Sequence, residues 1–188
     1  VYRTFFKRLV DILLASVALA VLSPLMLSVA LVIWLQDRGP VVFRQSRVGK
    51  DGRLFGFLKF RSMPVGTPNV ASTERHLIRI TPFGRFIRRA SIDELMQLFN
   101  ILRGDMSIVG PRPPIPTQEN LIRLRRENGS LQLRPGLTGW AQVNSYDHMP
   151  EGEKARLDGE YAAKLSFWMD ARIILRTFLY LTKEPPTY

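Results

Sequence analysis

The chain has 188 residues, 46% of them hydrophobic, and its 27 Lys and Arg against 16 Asp and Glu leave a formal net charge of +11. That is enough for one domain with a real core and cramped for two, and the charge points to phosphate partners, whether in nucleic acid, anionic lipid or nucleotide. Without cysteine, disulfides and thiolate metal sites are excluded; His76 and His148 lack helical metal-ligand spacing, so each reads as a surface or packing residue and zinc is not expected.

From Ile12 to Leu35 the chain carries no charge, and Ser16, Ser23 and Ser28 are its only polar side chains, so it belongs in lipid. As one helix it would reach about 36 Å against a hydrocarbon core of roughly 30 Å, so a simple span is within range. Pro24 at its midpoint removes a backbone donor and crowds the carbonyl of Ala20, while Ser23 can bond back to a freed carbonyl, which predicts a sharp bend. Each arm, about 18 Å long, is too short to cross alone and suits a hairpin that enters and leaves by one face. Arg3, Lys7 and Arg8 precede the run and Arg38, Arg44, Arg47 and Lys50 follow it. Basic flanks prefer the cytoplasm, and only a re-entrant path keeps both there. An ordinary kinked spanning helix is the alternative. A cleaved signal peptide, suggested by Ala18-Leu19-Ala20, fits less well because the apolar run continues past it.

After Gln36 to Pro40 the chain turns polar, and Val41-Val42-Phe43 and Leu54 to Phe60 flank the turn-forming Gly49-Lys50-Asp51-Gly52, a β-hairpin pattern. Ser62 to Thr73 reads as an irregular loop and Pro82 to Arg89 as a helix. Ile92, Leu95, Met96, Phe99 and Leu102 follow the 3.6-residue period of a further helix that Gly104 can end. Pro111-Arg112-Pro113-Pro114 must be extended, Gln118 to Glu127 looks helical, and Arg134 to Trp140 looks like a loop. Glu151 to Leu165 is again helical. Phe167 to Leu181 mixes Trp168, Ile173, Phe178 and Leu179 with Arg172 and Arg176, which suits a helix lying in a membrane interface, or equally a core helix.

The chemistry-bearing stretch is Ser91-Ile92-Asp93-Glu94. Its Ser-x-x-Glu pattern is first of all an N-terminal capping box, which accounts for Ser91 and Glu94 without any function. The same physics permits a second reading: a helix N-terminus keeps a carboxylate ionised and attracts phosphate, so Asp93 could meet an electrophilic phosphorus there. Attack by Asp93 would form an acyl phosphate and divide one transfer into two displacements. Lys59, Arg61, Arg88, Arg89 and Arg112 are candidate cations for a diphosphate, though each alone is more often a solvated charge. A hard cation such as Mg²⁺ is the metal that carboxylate and phosphate oxygens would hold.

Ordered motifs then run along nearly the whole chain: Lys7-Arg8 with Asp11, Ser23-Pro24, Phe43 to Gly49, Lys59-Phe60-Arg61-Ser62-Met63, Asp93 to Asn100, Gly104-Asp105-Met106-Ser107, Val109 to Pro113 and Arg134 to Asn144. In these the chain resembles the monotopic polyprenyl-phosphate phosphoglycosyl transferases, the bacterial sugar transferase family. The resemblance implies an α+β, mostly helical fold. Its parts would be a re-entrant membrane helix broken at Ser23-Pro24 (residues 1–38) and a catalytic domain at the cytoplasmic face of the bacterial inner membrane (residues 39–188), with a small hairpin and amphipathic interfacial helices. It implies transfer of a sugar 1-phosphate from a UDP-sugar to undecaprenyl phosphate, with UMP released, as the first membrane step in building O-antigen, capsule, exopolysaccharide or glycoprotein glycans. Asp93 would be the nucleophile and Glu94 its partner, together at Mg²⁺. Lys59, Arg88 and Arg112 would line the phosphate site, with Asp158 and Asp170 as further members.

After Gln142-Val143-Asn144 many members continue Gly-Arg, whereas this chain reads Ser145-Tyr146-Asp147-His148, a candidate loop for reading the sugar. The chain begins at Val1, which fits a trimmed protein or the catalytic part of a longer relative. Apolar interface helices could pack on lipid or on a second copy as a homodimer. A nucleic-acid-binding membrane protein is the rival class, but no binding module is recognisable and anionic lipid explains the same charge, so nucleic acid is not expected as a partner. A non-catalytic scaffold, with the dyad only a cap, is the other rival.

Overall fold

The first long element, α1 (Lys7–Asp37), buries one stripe along its whole length. Asp11, Ala15, Met26, Val29 and Ile33 are buried, with Leu19 and Leu22 packed between them, a spacing of three and four that keeps one helical face turned inward. This computed structural model describes residues 2–65, 80–146 and 148–181. The expected loop from Ser62 to Thr73 lies mostly outside them, as does His76.

The helix stays helical through Ser23-Pro24, so the break expected there is not a loss of helical backbone. Ser23 Oγ donates to Ala20 O at 2.9 Å, filling the acceptor that proline leaves without an amide, and Ser28 Oγ donates to Pro24 O at 2.9 Å. The helix ends at Arg38, whose left-handed φ of 56° returns its N–H to Trp34 O. Leu13, Val17, Val21, Leu27, Leu31 and Leu35 stand exposed on the side away from the domain.

β1 (Val42–Val48) and β2 (Leu54–Phe60) form an antiparallel hairpin from Val42↔Phe60 to Val48↔Leu54 around a 3₁₀ turn at Lys50–Gly52, the first strand longer than its apolar start suggests. α2 (Pro82–Arg89) starts on Thr81, whose Oγ1 accepts the Gly84 amide at 2.9 Å, with proline at its first turn. The periodic stretch that follows is a composite: a 3₁₀ turn over Ile92–Met96, then α3 (Gln97–Arg103), closed at Gly104 with φ 92°. α4 (Glu119–Glu127), α6 (Glu151–Lys164) and α7 (Phe167–Leu181) lie where periodicity puts them.

The stretch Arg134 to Trp140, read as a loop, contains β4 (Gly136–Thr138), which pairs in parallel with β3 (Ser107–Val109), followed by a short helix α5 (Trp140–Val143). Three-residue strands are too short to show a period.

Two apolar clusters join α1 to the domain. Ala15 packs with Phe57, Leu98, Ile101 and Met106; Met26, Val29 and Ile33 pack with Phe60 and Ile87. The chain turns at residue 38, but the core crosses that boundary. α7 buries Ile173 and Asp170 and exposes Trp168, Leu175, Phe178 and Leu179, an amphipathic helix with its apolar side partly open.

Asn100 ties these parts together. From the buried face of α3 its Oδ1 accepts the Leu58 amide at 3.1 Å and its Nδ2 donates to Gly56 O at 2.8 Å, satisfying the edge of β2 that β1 leaves open. Its backbone oxygen accepts the amides of Gly104, Asp105 and Met106. Asn100→Ala should therefore cost about 3 kcal/mol, because it strands a buried amide and carbonyl. Urea unfolding in detergent checks this, the expectation being a lower midpoint at unchanged slope.

Candidate active site

Ser91 has a left-handed φ of 55° and its side chain caps nothing; its amide bonds to Arg88 O at 3.0 Å. The capping-box reading of Ser91 and Glu94 therefore fails. Asp93 and Glu94 lie in the first turn of the 3₁₀ stretch that runs directly on into α3. The turn is held by its apolar residues: Ile92, Leu95 and Met96 pack against the cluster of Met26, Val29, Ile33, Phe60 and Ile87. That packing turns the two acids toward the end of β2.

The two acids meet different surroundings. Glu94 Oε1 accepts Lys59 Nζ at 2.9 Å and Arg112 Nη2 at 2.6 Å, and its Oε2 accepts Arg112 Nη1 at 3.4 Å. Burial works against its charge, but Arg112 and Lys59 outweigh it and hold the Glu94 carboxyl well below the usual range. Asp93 is 5% exposed and accepts no hydrogen bond among the described residues; its nearest cation is Lys59 Nζ at 3.7 Å. Burial, with the Glu94 charge adding to it, raises the Asp93 carboxyl despite Lys59, Arg88 and Arg112. One acid is locked in ion pairs and the other is buried with its lone pairs free.

Arg88 faces solvent over much of its surface, with Nε donating to Ser62 Oγ at 2.7 Å. This is where α2 presses on the Lys59–Met63 segment: a Cβ on Gly84 would fall 2.0 Å from Ser62 O, so only glycine permits the approach. Arg61 turns away from the acids to pair with Asp37 at the end of α1. Asp158 is buried against Arg125, with Oδ2 accepting Nη2 at 2.6 Å and Nε at 2.9 Å, while Arg125 Nη1 donates to Arg112 O at 2.7 Å. It thus stands one residue behind Arg112. Asp170 sits elsewhere, accepting Lys7 Nζ at 2.6 Å, Tyr2 OH at 2.7 Å and Tyr161 OH at 2.6 Å, a knot that ties α7 to the first turn of α1. A cavity of about 350 Å³, lined by Lys7, Arg8, Asp11, Lys50, Arg134 and Tyr161 among others, lies beside that knot and includes neither acid of the dyad.

The sequence places Arg47 only in the basic flank after the apolar run and gives Arg125 no role. Arg47 Nη1 donates to Pro113 O at 3.1 Å, and burial beside Arg112 pushes its guanidinium down to about 10. Arg125 shares a buried face with Leu121 four residues earlier, the one local sign that it is not a solvated charge.

No group of three or more acids or histidines that could hold a metal occurs among the described residues. The adjacent carboxylates of Asp93 and Glu94 are the oxygens that Mg²⁺, completed by substrate phosphates, would use, with Glu94 giving up Lys59 or Arg112 to reach it.

The chain belongs to the bacterial sugar transferase family, whose family match covers residues 2–184. It is 42% identical over 199 residues to a UDP-glucose:undecaprenyl-phosphate glucose-1-phosphate transferase of Xanthomonas campestris pv. campestris, covering 100% of this chain and 41% of that protein. It is 41% identical to the enzyme of the same name from Escherichia coli (strain K12), covering 91% and 39%. An Aeromonas hydrophila UDP-N-acetylgalactosamine-undecaprenyl-phosphate N-acetylgalactosaminephosphotransferase is 39% identical, covering 92% and 43%. The chain thus spans about two fifths of the length of these relatives.

The asymmetry of the dyad predicts opposite effects on stability. A raised carboxyl binds its proton more tightly in the folded state, so ionised Asp93 at neutral pH counts against folding. Asp93→Asn should raise the melting temperature. Glu94→Gln should lower stability by on the order of 2 kcal/mol, since it leaves Lys59 and Arg112 facing each other without their anion. Differential scanning fluorimetry at pH 7 checks both; the reverse order would contradict the arrangement.

Proposed function

We propose that this chain carries the activity of a phosphoglycosyl transferase that moves a sugar 1-phosphate from a UDP-sugar to undecaprenyl phosphate. The observation that carries this is the division within the dyad: Asp93 is buried, free of hydrogen-bond donors and close to Lys59, while Glu94 gathers the cations. A desolvated carboxylate with free lone pairs is a nucleophile prepared for attack. The names of the relatives supply the substrate class, a UDP-sugar and undecaprenyl phosphate.

In the first step an Asp93 oxygen attacks the phosphorus that bears the sugar. The bond from that phosphorus to the bridging oxygen breaks, and UMP leaves with the electron pair. In the second step a phosphate oxygen of undecaprenyl phosphate attacks the acyl phosphate, and the Asp93 carboxylate leaves with its original charge. Lys59, Arg112 and Arg88 face the oxygens on which negative charge accumulates. Asp93 and Glu94 would hold Mg²⁺, which when bound supplies further positive charge to the diphosphate.

We also place the chain at the cytoplasmic face of the inner membrane with α1 re-entrant. α1 is long and apolar enough to cross a membrane. Its buried stripe from Asp11 to Ile33 is about 33 Å long, so a transverse span would draw the domain packed on it into the hydrocarbon. A helix that keeps one side on the domain and the other in lipid satisfies both, and leaves its basic flanks on one face.

Two experiments test these readings. Incubation with a panel of UDP-sugars, undecaprenyl phosphate and Mg²⁺ should release UMP from at least one donor, with Asp93→Asn lowering release at least about 10³-fold; UDP as the nucleotide product would contradict the mechanism. Because the chain has no cysteine, Thr4→Cys and Asp51→Cys can report topology singly. Both should react with an impermeant maleimide only from the cytoplasmic side, and labelling from opposite sides would overturn the re-entrant path.

A further inference from the structure

Pro111-Arg112-Pro113-Pro114 is extended and has little of its own with which to hold its place, since a proline has no amide to donate. Its four carbonyls are all taken from outside. Pro111 O accepts the Gly136 amide at 2.9 Å, Arg112 O accepts Arg125 Nη1 at 2.7 Å, Pro113 O accepts Arg47 Nη1 at 3.1 Å, and Pro114 O accepts the Val48 amide at 3.0 Å. The three prolines are buried, and the Arg112 side chain, about a third exposed, reaches out to Glu94.

Resting on the transfer proposed above, we propose that Arg125 is a positioning residue: held by Asp158, it fixes the Arg112 backbone and thereby where the Arg112 guanidinium meets the diphosphate. Arg125 is 3% exposed and Asp158 1%. Asp158 Oδ2 takes Nε and Nη2, which leaves Nη1 directed at Arg112 O. The planar guanidinium performs both contacts at fixed separation; an ammonium, a single point of charge, cannot. Because a buried ion pair often contributes little more than an apolar pair of the same volume, stability alone does not account for this arrangement. A displaced Arg112 backbone would move its guanidinium relative to both Glu94 and the reacting phosphorus, and misplacement by about 1 Å can lower the rate about 100-fold.

Arg125→Lys keeps a charge for Asp158 but gives up the fork. It should stay folded in detergent, lower kcat for UMP release about 10- to 100-fold, and weaken inorganic pyrophosphate binding measured by calorimetry. The double variant Arg125→Met with Asp158→Leu removes the pair without stranding either charge, and should show the same losses in a folded protein. In an Arg112→Lys background, Arg125→Lys should add less than about a twofold further change in either readout, because its effect passes through Arg112. Full activity and pyrophosphate affinity in either variant, or the same proportional loss in the Arg112→Lys background, would make the pair merely structural and overturn the proposal. Pyrophosphate binding keeps the two readings apart: if the parent released no UMP from any donor, the transfer reading would fail, while the binding cycle would still decide the role of Arg125.

Discussion

The site is assembled on the carboxylate of Glu94. Lys59 arrives from the end of β2 and Arg112 from the proline-rich segment, 35 residues before and 18 after it in the chain. Neither cation would approach the other without an anion between them. Arg47 and Arg88 add positive charge nearby, enough that Arg112 helps push the half-buried Arg47 guanidinium down. Coulomb repulsion among such groups, strengthened by partial burial, would drive the cluster apart; one bidentate, half-buried carboxylate holds it together. Asp93 can then remain without hydrogen-bond donors, with Lys59 Nζ 3.7 Å away, because its neighbour takes the cations first. Two adjacent acids of nearly the same intrinsic strength are driven apart by surroundings alone, the pattern expected where one acts and the other organises.

Features fixed by local physics could be read in the sequence. The hairpin followed from the turn-forming Gly49 to Gly52 between two apolar stretches, α2 from Pro82, and the end of α3 from Gly104, because turn chemistry and apolar period are local properties. The turn carrying the dyad could not be read, since 3₁₀ and α backbones place Ile92, Leu95 and Met96 on much the same side, and the choice between them was made by packing against α1 and Ile87. For the same reason Ser91 resembled a cap and is none. β3 and β4 depend on a pairing between segments far apart in the chain. The identities of the dyad and its cations rested on ordered motifs, but which cation meets which acid is tertiary information. Arg61 and Arg112 look alike in sequence; one ends on Asp37 and the other on Glu94.

The long apolar helix α1 reaches the dyad through its packing. Met26, Val29 and Ile33 share a cluster with Ile87, Ile92, Leu95 and Met96, the residues on either side of Asp93. At the other end, Lys7 and Asp11 are bound to Asp170 and to Ser107 and the Ile108 amide, so the helix is fixed to the domain near both ends. Its exposed face and the exposed Trp168, Phe178 and Leu179 of α7 present apolar surface that a bilayer would cover. For the proposed transfer this rigidity has a purpose. The acceptor's phosphate stays at the headgroup level while its chain remains in lipid, so the nucleophile has to be held at that depth. A domain tethered by a flexible linker would sample many depths and meet the acceptor rarely. With α1 in the membrane as proposed, packing the Asp93 turn directly on it would make the distance from carboxylate to headgroups a property of the core, which is close-packed and yields little.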